Sequence, residues 1–259
     1  MPPSQAIVPL TRRGFLGTAR RDIWWVQPSL VLLILGGFVV YATWAALQNA
    51  HYSYGPYLSP FYSPLLARPA WWPRWLLFSP ALLILPFPAL FRFTCYYYRG
   101  SYYKAFWADP PACAVGEPRQ HYRGERYLPL ILQNVHRYFM YIALLFLGIL
   151  SYDVWKSLWW TDPVRGVTRF GVGLGSLVLA VNVVCLTGYT LGCHSLRHIA
   201  GGFRDQFSGR PAFRLPYRCV SCLNDKHHRW AWVSLVMVAF ADVYVRLCSM
   251  GIWRDVKIF

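Results

Sequence analysis

Five long apolar segments alternate with polar segments along this chain of 259 residues. Most of them approach or exceed the length of about 20 residues that a helix needs to cross the hydrocarbon core of a bilayer. Tryptophan residues cluster near the segment ends, as expected where aromatic side chains sit at the level of the lipid headgroups. The pattern predicts an all-α, polytopic membrane protein built as a five-transmembrane-helix bundle. The apolar segments are residues 30–48, 75–91, 138–152, 170–196 and 230–253.

The chain shows no internal repeat and no low-complexity linker, so we expect a single membrane domain over residues 1–259. Prolines interrupt the second apolar segment, and membrane helices tolerate prolines because neighbouring groups satisfy the freed backbone atoms. The predicted helices cover residues 26–49, 74–98, 130–158, 167–199 and 228–252, and the predicted cytoplasmic loops cover residues 99–129 and 200–227.

The composition supports a membrane protein and argues against other classes. Hydrophobic residues make up 56% of the sequence and charged residues only 14%, whereas soluble domains contain about 25% charged residues. The net charge of +16 results from 26 basic and only 10 acidic residues. A nucleic-acid-binding protein would present such a charge on a soluble fold, for which the apolar segments leave little chain. We therefore expect the lipid bilayer as a partner and no nucleic acid.

The distribution of Lys and Arg predicts the orientation. Five crossings place the N-terminus, residues 92–137 and residues 197–229 on one face, which holds 18 of the 26 basic residues. Because cytoplasmic loops carry an excess of Lys and Arg, this face is predicted to be cytoplasmic. The N-terminus is then cytoplasmic and the C-terminus outside. The basic face is also a candidate docking surface for an acidic soluble partner.

Histidines and cysteines gather on the predicted cytoplasmic face. His194 and His198 are four residues apart and share one helical face, which suits binding to one metal centre. Cys219 and Cys222 form a Cys-x-x-Cys pair with the spacing of a metal chelate or a redox dithiol. The candidate metal ligands are Cys193, His194, His198, Cys219, Cys222 and His228.

The donor set leaves the kind of centre open. Two imidazoles and two thiolates match a Rieske-type [2Fe–2S] cluster and equally match a zinc site. A haem b held by two histidines is a third possibility, for which His136 could pair with His194 or His198. The first two predicted helices contain no histidine, which argues against two haems.

Several motifs together resemble the membrane anchor subunit of bacterial succinate dehydrogenase, respiratory complex II. The resemblance is to the branch that lacks the usual haem-ligating histidines and is associated with a membrane-embedded Rieske-type cluster. The order of the donors differs from that in soluble Rieske proteins. The motifs are Asn134-x-His136-Arg137-Tyr138, Cys193-His194-Ser-Leu-Arg-His198, Cys219-x-x-Cys222 and Asp242-x-Tyr244-x-Arg246.

This resemblance implies an electron-transfer subunit in a bacterial plasma membrane. Flavoprotein and iron–sulfur subunits would oxidise succinate, and this chain would pass the electrons through a [2Fe–2S] cluster to menaquinone. No succinate oxidation by the chain alone is expected. The alternatives are a haem b-containing anchor of a related quinone oxidoreductase, a membrane thiol oxidoreductase that uses Cys219 and Cys222, and a structural anchor with a zinc-bound loop.

A quinone needs an apolar slot with a few polar groups and a proton source. His136 and Tyr138 at the start of the third predicted helix, and Arg229 and Trp230 at the start of the fifth, meet these demands on the face where electrons would enter. These four residues are the predicted quinone site.

Asp242 and Arg246 are charged residues inside the fifth apolar segment. Charges at such a depth face the bundle interior and usually form pairs. We expect an intrahelical ion pair, with a role in proton transfer as the alternative.

Overall fold

The computed structural model describes residues 14–73, 75, 77–118, 127–128, 130–161, 166–202 and 211–259. Within these ranges the protein is mostly helical. Four helices are long and apolar enough to cross a membrane, or five if Pro80–Phe93 and Tyr96–Trp107 together make one broken span. The prediction of a mostly helical protein with four or five membrane-spanning helices is confirmed. The orientation of the termini remains a prediction.

The four long helices are α1 (Val26–Gln48), α5 (His136–Lys156), α6 (Leu174–Leu191) and α9 (His227–Ser249). In the most apolar 18-residue stretches of the first and second of these spans, only 17% and 6% of the residues are buried within the protein. Most apolar side chains of α1 and α5 therefore face outward. In a bilayer such side chains contact lipid and need no protein cover. In α6 and α9 half of the window is buried, so these two helices form the centre of the bundle.

The second predicted helix is broken into short pieces. Helix α2 covers Pro80–Ile84 and α3 covers Pro86–Phe93, and both begin at a proline. A proline has no amide hydrogen and clashes with the preceding turn, so it suits the start of a helix better than its interior. Helix α4 (Tyr96–Tyr102) follows and continues into a π-helical turn at Tyr103–Trp107. The helix predicted over residues 74–98 therefore starts only at Pro80, is interrupted before Pro86, and breaks again at Thr94 and Cys95, where there is no proline.

Two short helices lie in the region predicted as the second cytoplasmic loop and just before it. These are α7 (His194–Ala200) and α8 (Pro211–Asp225). The expected long fourth helix, 167–199, ends instead at Leu191, and α7 starts after a break at Gly192 and Cys193. A 3₁₀ helix at Leu130–Val135 leads into α5.

The chain divides into two compact units. One consists of Met1–Gly37 and Tyr96–Ile131, and the other of Phe38–Cys95 and Leu132–Phe259. In the described part of the first unit, the backbones of Gly17 and Gly116 are hydrogen-bonded (2.9 Å). In the same unit, Arg20 pairs with Asp22 and donates to the carbonyl of Cys113 (2.9 Å).

The second unit contains a layer of short strands, which the apolar pattern did not predict. Two antiparallel hairpins pair β1 (Ser53–Tyr54) with β2 (Tyr57–Leu58), and β3 (Trp159–Thr161) with β4 (Thr168–Phe170). A 3₁₀ turn at Pro60–Tyr62 follows β2.

The C-terminal tail joins this layer through Asp255. Its carboxylate accepts hydrogen bonds from the hydroxyls of Tyr57 and Tyr244, both at 2.7 Å, and from the amide of Gly175 at 2.9 Å. The pKa of the Tyr57 hydroxyl is raised above its ordinary value by burial, so it remains a hydrogen-bond donor at neutral pH. The tail is thereby tied to the start of α6 and to the end of α9.

Helices α6 and α9 run antiparallel and approach closely at Gly188. A Cβ at this position would lie 2.5 Å from the Trp230 ring. We therefore expect Gly188→Ala to force the two helices apart and to destabilise the protein by about 1–3 kcal/mol, the usual cost of overpacking.

The matched control for this prediction is Gly148→Ala in α5, where no atom lies within 4 Å of the added Cβ. Thermal unfolding of the purified, membrane-extracted protein should show a lower midpoint for Gly188→Ala and an unchanged or higher one for Gly148→Ala. Equal midpoints would contradict the close packing of α6 on α9.

Candidate metal centre and adjoining cavity

Most of the predicted metal ligands lie on exposed surfaces. His194 and His198 are exposed on α7, and Cys219 and Cys222 are exposed on α8. His228, the second residue of α9, is also exposed. Within the described ranges, the structure brings no three His, Cys, Asp or Glu side chains together in a group that could hold a single metal ion.

A different set of histidines and cysteines meets in the interior of the second unit. The Nε2 of His136 lies 3.2 Å from the Sγ of Cys193, and the Sγ of Cys95 lies 3.6 Å from the Nε2 of His227. Cys95 and Cys193 are only 3% and 1% exposed. We call these four residues the Cys₂His₂ set; it includes Cys193 from the six candidate metal ligands and His136, which the sequence offered only as a haem ligand or a quinone-site residue.

Four separate elements position the Cys₂His₂ set. Cys95 follows the end of α3, and His136 is the first residue of α5. Cys193 precedes the first residue of α7, and His227 is the first residue of α9. Each side chain thus stands where a helix starts or ends, so its neighbours in sequence say little about its partners in space.

Aromatic rings and a hydroxyl hold the two imidazoles. His136 stacks on Phe91 and His227 stacks on Tyr189, with ring centroids 4.9 Å apart in both cases. The Nδ1 of His136 lies 2.8 Å from the hydroxyl of Thr94. This hydrogen bond fixes the ring and leaves its Nε2 directed at Cys193.

The Nδ1 of His227 is buried and has no hydrogen-bond partner. Leaving a buried polar atom unpaired costs free energy, and such atoms in native proteins often mark a place where a further group binds. A Cβ at Gly192 would lie 3.2 Å from this nitrogen, so the glycine leaves the space beside it open.

Burial also controls the protonation of Cys193. It raises the pKa of this thiol to about 11, so the thiol is protonated at neutral pH in the metal-free protein. Metals bind the thiolate, so metal binding at Cys193 would have to release this proton.

A cavity of about 360 Å³ adjoins the Cys₂His₂ set. Its walls are mainly apolar and come from α1, α2, α3, α5, α6, α9 and the Pro60–Tyr62 turn. Phe91 and Tyr189, which stack on the two imidazoles, are both part of the wall. The polar residues that line it are Thr43, Arg92, Tyr189 and Thr190.

Arg92 brings a fixed positive charge to the cavity wall. Its guanidinium donates to the carbonyl of Ala231 (3.0 Å) and to the hydroxyl of Ser234 (2.9 Å). It also lies 4.6 Å from the centroid of the Tyr189 ring, a cation–π contact. Arg92, Tyr189 and His227 therefore form a continuous stack from the cavity to the Cys₂His₂ set.

The predicted quinone residues lie outside the cavity wall. Tyr138 is 67% exposed, and Arg229 is exposed. Trp230 packs against Gly188, and His136 belongs to the Cys₂His₂ set. His136 stacks on Phe91, which is part of the cavity wall.

The predicted ion pair in the fifth segment is present in α9. The Nε of Arg246 lies 3.3 Å from the Oδ2 of Asp242, and the two side chains are 3% and 0% exposed.

These features define a helical membrane protein in which two part-buried imidazoles face buried thiols beside an apolar cavity. The chain belongs to the family of actinobacterial succinate dehydrogenase subunits SdhC, whose family model matches residues 26–251. The membership predicted from the sequence motifs is thereby confirmed at the level of the subunit family.

A solved structure, the Mycobacterium smegmatis Sdh1 complex in the apo form, contains a similar chain. The two chains are 39% identical, the match covers 99% of this chain and 97% of that chain, and the TM-score is 0.83. No curated protein matches the sequence.

Proposed function

We propose that this chain anchors a succinate dehydrogenase in the membrane and transfers its electrons to a quinone through a Rieske-type [2Fe–2S] cluster held by the Cys₂His₂ set. The observation that carries the proposal is the convergence of two thiols and two imidazoles at the wall of an apolar cavity. The cluster would supply one-electron transfer between the partner subunits and the quinone.

The donor chemistry supports a two-iron cluster. A Rieske-type cluster takes two cysteines and two histidines, which is the composition of this set. Zinc can bind the same donors, and the described residues contain no group of three or more of them around one point, so either metal centre requires the side chains to move. The donors instead form two pairs, and cluster binding requires each imidazole to separate from its neighbouring thiol.

The buried set also suits a cluster better than the exposed residues do. Hydrophobic surroundings and limited solvent access control the reduction potential of an iron–sulfur cluster. Cys95 and Cys193 satisfy this condition, while Cys219 and Cys222 are exposed on α8. A haem b, the alternative cofactor, would be held through the two Nε2 atoms with a porphyrin between them, whereas here each Nε2 faces a cysteine sulfur.

The cavity is the proposed menaquinone site. It offers an apolar slot with few polar groups, as quinones require. Two of its wall residues, Phe91 and Tyr189, also stack on the imidazoles of His136 and His227. We assign Arg92 and Tyr189 to the quinone carbonyl, because they are the polar wall residues linked to His227.

The partners are the flavoprotein and iron–sulfur subunits. The similar chain in the solved structure is part of a complex, and the family is that of a succinate dehydrogenase subunit. We place their docking surface on the face where α6 ends and α9 begins, since electrons must enter near the Cys₂His₂ set. Most of the Lys and Arg residues are predicted on this face, which we propose is cytoplasmic in a bacterial plasma membrane.

Metal analysis tests the proposal. The purified complex is compared with a subcomplex of the flavoprotein and iron–sulfur subunits expressed without this chain. We expect the chain to add about two irons and two acid-labile sulfides. One added zinc would favour the structural zinc site, and no added metal would reject the cluster.

A further inference from the structure

A second polar centre is buried in the bundle at a distance from the Cys₂His₂ set. The carboxylate of Asp242 accepts hydrogen bonds from the hydroxyls of Tyr41 (2.5 Å) and Ser59 and from the Nε of Arg246 (3.3 Å). These donors come from α1, from the residue before the Pro60–Tyr62 turn, and from α9 itself.

Arg246 extends the centre toward the end of α1. Its Nη1 donates to the carbonyl of Ala50 (2.9 Å) and to the Oε1 of Gln48 (3.3 Å), and its guanidinium lies 5.3 Å from the Trp44 ring centroid. Its Nη2 is buried and has no hydrogen-bond partner. Gln48 is itself exposed, and so is His51 just beyond Ala50. The centre therefore leads from the interior to the end of the bundle where α1 and α9 finish.

The same stripe of α9 connects this centre with the cavity. Ser234, Val238, Asp242 and Arg246 are spaced four residues apart and so lie along one side of the helix. Ser234 accepts a hydrogen bond from Arg92, and Val238 lines the cavity. With a rise of 1.5 Å per residue, Asp242 lies about 22 Å along α9 from His227.

Only one layer of side chains separates the centre from the cavity. Ala42 and Phe61 belong to the cavity wall, and the Phe61 ring centroid is 6.1 Å from that of Tyr41. The amide of Phe61 donates to the hydroxyl of Ser59 (3.2 Å), which in turn donates to Asp242.

Packing alone does not require this arrangement. Burying an ion pair costs several kcal/mol of desolvation, and well-packed apolar residues at such places are often as stabilising or more so. Ionisable residues inside a membrane bundle typically serve ion or proton pathways. The unsatisfied Nη2 of Arg246 also leaves room for a further acceptor such as water.

We propose that Asp242 and Tyr41 relay protons to the quinone from the end of the bundle opposite to electron entry. This inference rests on the proposed quinone reduction. The quinone takes up electrons from the Cys₂His₂ side and an equal number of protons to become a quinol. Each proton enters past Gln48 and Arg246 and binds Asp242. Tyr41 then releases its hydroxyl proton toward water in the cavity and regains one from Asp242, so both side chains return to their starting state.

The first test uses the unmodified complex in sealed liposomes that contain a trapped pH-sensitive dye. Succinate does not cross the membrane, so only complexes with the flavoprotein outside turn over. We expect the lumen to lose one proton for each electron that reaches an added quinone. Quinone reduction with no change of luminal pH would overturn the relay while leaving the proposed function intact. No quinone reduction at all would instead reject the proposed function, on which the relay rests.

The second test replaces the pair without changing the net charge. In Asp242→Asn/Arg246→Gln we expect quinone reduction to fall at least about tenfold, within the range typical of lost proton transfer. Dye reduction by succinate and cluster content should not change. The matched control is Asp255→Asn, since this carboxylate also accepts hydrogen bonds from two hydroxyls, those of Tyr57 and Tyr244, but lies in the strand layer. A double variant that keeps the normal rate and the luminal proton loss would overturn the relay. If the variant does not assemble, the measurement on the unmodified complex still decides.

Discussion

Replacing Cys193 by serine is expected to abolish quinone reduction by the purified complex while succinate-dependent dye reduction continues. Cys193 is fully buried and faces His136, so its thiol would bind the proposed cluster directly. Without the proposed cluster, electrons would have no carrier between the iron–sulfur subunit and the cavity. We expect the loss to exceed about 100-fold and to be accompanied by the loss of cluster iron and sulfide. Cys95→Ser should behave in the same way.

The matched controls for this prediction are Cys219→Ser and Cys222→Ser. They make the same chemical change at the exposed Cys-x-x-Cys pair on α8. We expect both to retain the cluster and quinone reduction. Loss of the cluster in Cys219→Ser together with its retention in Cys193→Ser would restore the ligand set expected from sequence spacing and reject the Cys₂His₂ set. Loss of quinone reduction in Cys219→Ser or Cys222→Ser, with the cluster intact, would favour the thiol oxidoreductase.

The second large effect is expected for Arg92→Gln. The guanidinium is the positively charged group in the cavity wall, and a hydrogen bond from a charged donor is worth about 1.5–3 kcal/mol. We therefore expect a decrease of roughly 10- to 150-fold in kcat/KM for the quinone, with dye reduction and cluster content preserved. Arg92→Lys, which keeps the charge but loses the planar donor pair, should recover part of the rate.

Arg229→Gln is the matched control, because Arg229 is the arginine of the quinone site expected from the sequence and is exposed in the structure. Its quinone kinetics should remain normal. Normal kinetics in Arg92→Gln combined with a collapse in Arg229→Gln would place the quinone at the starts of α5 and α9 and would contradict the cavity assignment.

The transmembrane helices could be predicted where a long apolar run is free of breaks. Helices α1, α5, α6 and α9 each overlap such a run, because lipid accepts any apolar side chain and the pattern needs no tertiary information. The segment with Pro80, Pro86 and Pro88 shows the limit of this reasoning. The segment is as hydrophobic as a transmembrane helix. Its backbone nevertheless breaks before Pro86, because a proline has no amide hydrogen to donate within a helix.

Local spacing was a poor guide to the candidate centre. The pairs His194/His198 and Cys219/Cys222 have the spacing of chelates, yet both lie on exposed parts of helices α7 and α8. His136 and Cys193 were both candidates from the sequence, but nothing in their spacing indicates that they form a pair.

Cys95 and His227 were missed as ligands because they are 132 residues apart in sequence and meet only in the folded bundle. One available signal was their position. Both stand at a junction between a polar segment and an apolar one, on the same predicted face as His136 and Cys193.

Low-temperature EPR of the dithionite-reduced complex tests the central claim most directly. The account predicts a Rieske-type signal with coupling to histidine nitrogens, in addition to the signals of the iron–sulfur subunit. This signal should be absent in Cys193→Ser and unchanged in Cys219→Ser. The absence of any such signal from the unmodified complex, or its persistence in Cys193→Ser, would contradict the assignment of a [2Fe–2S] cluster to Cys95, His136, Cys193 and His227.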